Sequence, residues 1–90
     1  MNRAYYSDSV TGFLDRDPDA ILGELVRRAG YDGAQIETTQ TDSWGEQVGI
    51  LKRAIALYRD RGTVYFEYSI PRLGKRIDVL ALIDGVIFAT

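Results

Sequence analysis

Apolar positions form three helical stripes in the first two thirds of the chain and then switch to extended alternation. Val10, Phe13 and Leu14 follow Ser7 and Asp8 at i, i+3, i+4 spacing, which predicts a short helix over about 8–16. Asp17-Pro18-Asp19 is a stronger start signal. Asp17 can cap, Pro18 tolerates the first helical position, and Asp19 sits near the positive end of the dipole. Ile21, Leu22, Leu25 and Val26 supply the stripe, and Arg27 and Arg28 precede Gly30, a suitable left-handed stop, so a helix is expected over 18–29. Tyr31 to Gln35 contains Asp32-Gly33 and reads as a turn, and Ile36 to Thr39 has no clear pattern.

Trp44, Val48, Leu51, Ile55 and Tyr58 step by 4, 3, 4 and 3, which predicts a helix over about 40–61 that ends before Gly62. Thr39 or Thr41 can cap it, and Ser43 with Glu46 also fits a capping box. Ile50, Ala54 and Leu57 widen the stripe and imply burial against a sheet. Strands follow over about 63–70, 75–83 and 86–90, separated by Pro71-Arg72-Leu73-Gly74 and the hairpin signal Asp84-Gly85. The expected fold is α+β, one domain over 1–90, with two to three helices packed on a three-stranded antiparallel meander.

Composition narrows the chemistry more than the fold. Ninety residues that are 46% hydrophobic and 27% charged suit one small globular domain. The lack of cysteine and histidine excludes disulfides, Cys/His zinc sites and His-based triads, which leaves carboxylate chemistry, lysine chemistry or binding. No apolar run approaches membrane-spanning length and the amino terminus carries no secretory pattern, so a cytoplasmic protein without a membrane partner is expected. The net charge of −2 divides into −5 over residues 1–50 and +3 over residues 51–90. Solvated helix faces account for such a split, and the total is too small to favour an acidic mimic of nucleic acid.

Asp78 is the residue that fits a plain strand least. Ile77, Val79, Ala81 and Ile83 alternate onto one face, which leaves Asp78 with Arg76, Leu80 and Leu82 on the other. A carboxylate there is costly unless it is paired, hydrogen-bonded or bound to a metal. Pairing with Arg76 or Lys75 is one reading and metal ligation another. Lys75 and Arg76 likewise suit either a phosphate contact or the guarding of a strand edge. Trp44, Tyr58, Tyr65, Phe66 and Tyr68 are expected in the core rather than as base-stacking platforms.

The string Phe66-Glu67-Tyr68-Ser69-Ile70-Pro71-Arg72-Leu73-Gly74-Lys75-Arg76-Ile77-Asp78-Val79-Leu80 and the following Asp84-Gly85 resemble the amino-terminal nuclease-like region of bacterial DNA/RNA helicase-like P-loop proteins. Ala4-Tyr5-Tyr6-Ser7, Asp17 to Gly23 and the Trp44 helix extend the resemblance over nearly all of the chain. That region looks like a PD-(D/E)xK, or restriction-endonuclease-like, domain. The resemblance implies that Asp78 is the strand aspartate that holds Mg²⁺ together with the Glu of a Glu-x-Lys motif on the next strand. It places that motif just after the apolar run 86–90, and the sequence reaches Thr90 without it. The expectation is a nucleic-acid-processing domain with an incomplete site, unable to cut alone, needing no cofactor by itself and Mg²⁺ only if completed. Glu67 is a weaker catalytic candidate, and Arg72, Lys75 and Arg76 are the candidates for nucleic-acid binding. The alternative is an interaction or inhibitor module that binds a protein partner or itself. Strand 86–90, with Val86, Ile87 and Phe88 and no Lys or Pro to guard it, would then make a homodimer.

Overall fold

The computed structural model describes residues 4–31 and 38–89. In chain order they form β1 (Tyr6–Ser9), α1 (Val10–Asp15), α2 (Pro18–Tyr31), α3 (Thr38–Ala54), a 3₁₀ turn (Ala56–Tyr58), β2 (Gly62–Ile70), a second 3₁₀ turn (Pro71–Leu73), β3 (Lys75–Ile83) and β4 (Val86–Ala89). The strands make one antiparallel sheet in the order β1-β2-β3-β4, so the α+β expectation holds, with four strands instead of three. No helix among the described residues is long and apolar enough to cross a membrane. The turn expected at Asp32-Gly33 and the last strand residue, Thr90, lie outside the described residues.

Local signals explain most of the boundaries. The Ser9 hydroxyl accepts the Gly12 N–H at 3.0 Å and starts α1, while Asp17 Oδ1 accepts the Asp19 N–H at 2.8 Å at the head of α2. Both residues of the Asp84-Gly85 turn have positive φ (53° and 79°), as a type I′ hairpin requires. Two helix ends differ from expectation. Helix α2 runs through Gly30 to Tyr31, and α3 stops at Ala54 instead of reaching residue 61.

That early stop redirects the side chains after it. Ile55 leaves the helical region (φ −106°, ψ 11°), and the tighter turn carries Leu57 and Tyr58 outward; Leu57 is 91% exposed. Ile50 and Ala54 are exposed as well, so the wide buried face expected for this helix is narrowed to Trp44, Val48 and Ile55, with Leu51 packed alongside. Tyr58 therefore lies outside the core that its spacing implied.

The core is aromatic and joins α1 to the sheet. Phe13 and Phe66 meet with tilted rings at 5.8 Å between centroids, Tyr6 approaches both, and Tyr5 meets Trp44 edge-on at 6.3 Å. Ile21, Leu25 and Ala29 of α2 and Val64, Val79, Ala81 and Ile83 of the sheet complete it.

Candidate functional site

The lengths of the outer strands determine where the site lies. Strand β1 pairs with β2 only as far as Tyr6↔Phe66, and β4 pairs with β3 only as far as Leu80↔Ala89. Among the described residues, the β2–β3 hairpin continues without a third strand beyond those pairs, through Tyr68↔Ile77, Ser69↔Arg76 and Ile70↔Lys75. Residues 67–78 thus form a two-stranded arm. Glu67 and Asp78 lie at its base, between the pairs Phe66↔Val79 and Tyr68↔Ile77, while Arg72, Lys75 and Arg76 lie further out, all three exposed.

Glu67 interrupts β2. Its φ of 55° is a left-handed conformation rare for a non-glycine residue, and it lies between two regular pairs, Phe66↔Val79 and Tyr68↔Ile77. The break changes which side chains meet. Tyr65 and Tyr68, which regular alternation would send to opposite faces, touch edge-on at 5.4 Å. Tyr68, two residues beyond Phe66, does not keep the burial of that face: Val64 and Phe66 are buried and Tyr68 is half-buried. Nothing in the residue pattern of Tyr65 to Tyr68 marks that break.

The break also gives Glu67 an environment of its own. Partial burial is the main cause that pushes its carboxyl above the usual range. The charge of Asp78 and a hydrogen bond shared with it act in the same direction, and Arg76 and the Trp44 indole oppose them. The Trp44 N–H is buried without a partner of normal hydrogen-bond geometry, yet it lies close enough to favour the ionised Glu67. The Arg76 guanidinium, whose charge acts on Glu67, lies 4.4 Å from the Tyr5 ring centroid.

Asp78 itself is exposed, so water offsets the burial cost that its position beside Leu80 and Leu82 implied. The structure brings Asp78, Glu67 and Arg76 together, whereas Arg72 and Lys75 sit toward the tip of the arm. Sequence reasoning ranked Glu67 low and missed Trp44 and Tyr5 as its surroundings. The signal available was Glu67 itself, the one acidic residue in the apolar run Val64 to Ile70.

A raised carboxyl fixes a sign for stability against pH. The fold favours protonated Glu67, so its contribution is fully present below the unfolded pKa and is lost as pH rises through the higher folded value. Glu67→Gln should therefore raise the thermal midpoint at pH 7, with the two proteins converging near about pH 4, where a free glutamate is largely protonated. Circular-dichroism melts at both pH values check this.

The donor set at the arm base fits a hard cation only in part. Two carboxylates can hold Mg²⁺ when waters and substrate oxygens fill the remaining positions. Among the described residues no group of three or more acidic, His or Cys side chains is placed to hold a metal. A separate apolar groove lies between α3 and the β3–β4 hairpin. One pocket in it, about 300 Å³, is lined by Leu51, Ala54, Ile55, Tyr58, Ala81, Ile83 and Phe88. Comparison with protein-family models, with curated proteins and with solved structures gives no match.

Proposed function

We propose that this chain is a restriction-endonuclease-like unit that contacts nucleic acid through the β2–β3 arm and does not cleave it alone. The observation that carries this reading is the juxtaposition of Glu67 and Asp78 at the base of an arm whose outer part bears Arg72, Lys75 and Arg76. Exposed cations on a protruding hairpin suit the phosphate backbone, where they supply affinity without sequence readout. The carboxylate pair would repel a phosphate by itself, so binding at that point needs a cation between them. Asp78 and Glu67 are the residues that would hold Mg²⁺, which supplies polarisation of a phosphate oxygen and a more acidic bound water. Arg76, held over Tyr5, keeps a positive charge beside the pair.

Cleavage is not expected, because the 90 residues contain no Glu-x-Lys sequence to add a further carboxylate and a lysine at the reacting phosphate. The test is fluorescence anisotropy of a labelled DNA duplex. Mg²⁺ should tighten binding to the wild type and have no effect in Asp78→Asn. Joint replacement of Arg72, Lys75 and Arg76 by Gln should weaken binding and flatten its salt dependence by roughly three contacts' worth. Binding indifferent to both changes would refute the proposal.

A further inference from the structure

The two edges of the sheet are unlike. Both edge strands are four residues long, but β1 is guarded by polarity: two of its residues are serines and Asp8 sits within it, accepting bonds from Tyr6 Oη at 2.9 Å and the Ser9 N–H at 2.8 Å. Strand β4 carries no charged residue and no Pro. Val86, Ile87, Phe88 and Ala89 are all exposed and uncharged, and among the described residues no strand neighbours their outward backbone groups. Phe88, 55% exposed, stands at the mouth of the apolar groove beside Tyr58, and Ile50 borders the adjoining hollow with Leu51, Ala54 and Val79.

We infer that β4 is the interface of a homodimer in which β4 pairs antiparallel with β4 of a second copy. Three properties favour a second copy as the occupant. The strand is free of charge, so a twofold axis through it brings no like charges opposite one another. Strand addition satisfies the open edge in both copies at once. The exposed apolar area of Ile50, Tyr58, Val86, Ile87 and Phe88 is on the order of 500 Å² per copy, or about 1,000 Å² for the pair, which reaches the lower limit of a specific interface and implies a weak dimer.

Alternation limits the register. For α3 and its symmetry mate to stay on one side of a continuous sheet, the twofold must pass through a residue rather than between two. An axis at Phe88 sets the two Phe88 rings side by side above the joined grooves. This inference stands independently of the nucleic-acid reading, since no residue of the arm takes part.

Sedimentation equilibrium over a concentration series tests it. The wild type should move from 10.1 kDa toward twice that mass as concentration rises. Ile87→Lys, at an exposed position on the edge, should weaken the dissociation constant at least about tenfold with an unchanged circular-dichroism spectrum. Ser7→Lys, on the opposite edge, should leave it unaltered. A wild type that stays monomeric at about 1 mM, where even a feeble interface would show, overturns the inference. So does a dimer that survives Ile87→Lys or is broken by Ser7→Lys.

Discussion

Gly62→Ala should abolish the folded state or leave it barely populated. A Cβ at Gly62 would lie 1.8 Å from the carbonyl oxygen of Leu82, 2.9 Å from its carbonyl carbon and 3.0 Å from Ile83 Cα. All three are backbone atoms of β3, directly across from the first pair of the β2–β3 ladder, Gly62↔Ile83. A clash with the end of a side chain is relieved by rotation, whereas this one requires the strands to separate. Separation at that pair also disturbs the turn tied by the Asp84 N–H to Arg61 O bond and the Arg61–Asp84 ion pair at 3.1 Å. The expected loss exceeds about 4 kcal/mol, comparable to the whole stability at the low end of the range for a domain of this size. Gly23→Ala is the control. It lies on the exposed side of α2 with nothing within 4 Å of an added Cβ, and should be neutral or stabilise by roughly 0.5–1 kcal/mol. Urea unfolding followed by circular dichroism separates the two outcomes.

Lys52→Met should cost about 2 kcal/mol, because Lys52 closes the C-terminal end of α1 from a different helix. Its ammonium donates to Phe13 O, to Leu14 O at 3.3 Å and to Arg16 O at 2.7 Å, and it sits 4.6 Å from the Phe13 ring centroid. These are carbonyls that a six-residue helix cannot satisfy internally. Met keeps the stem's packing and removes the charge and all three bonds; bonds to a charged donor are worth about 1.5–3 kcal/mol in such exchanges. Partial burial lowers the Lys52 pKa, and Asp15 and Asp17 oppose that shift. A lowered lysine pKa means that the cost of burying the charge acts at neutral pH and offsets part of what the three bonds contribute. For a domain of this size the thermal midpoint should fall by roughly 10 °C. Lys52→Arg is a poor rescue, since a planar fork does not converge on three carbonyls as a tetrahedral ammonium can.

Elements with strong periodicity or turn chemistry were legible in the sequence. Strand β3 matches the expected 75–83, and Asp17-Pro18 and Asp84-Gly85 mark their boundaries as their chemistry requires. Strand β1 was not legible. Tyr6-Ser7-Asp8-Ser9 has no apolar alternation and is a strand only because β2 supplies its partners, a tertiary effect that overrides propensity. The end of α3 was hidden for a related reason: residues 55–58 continue the helical spacing, while the Thr11–Asp60 bonds and the Arg59–Asp15 ion pair at 2.8 Å draw the following loop back onto α1. At the site, the positions of Asp78, Lys75 and Arg76 on one strand could be read from alternation alone. The place of Glu67 near Asp78 depends on strand register, and its left-handed backbone on a local break that no residue preference announces.

Paramagnetic broadening of amide resonances by Mn²⁺ tests most directly the proposal that Glu67 and Asp78 hold a cation as one pair. Mn²⁺ accepts the same hard oxygen donors as Mg²⁺. Titration into the ¹⁵N-labelled 90-residue chain should broaden the amides of residues 66–68 and 77–79 first, with Asp78→Asn removing the effect at both strands together. Broadening that begins instead at the acidic residues of α2 or α3, or that persists at residue 67 when Asp78 is replaced, would contradict it.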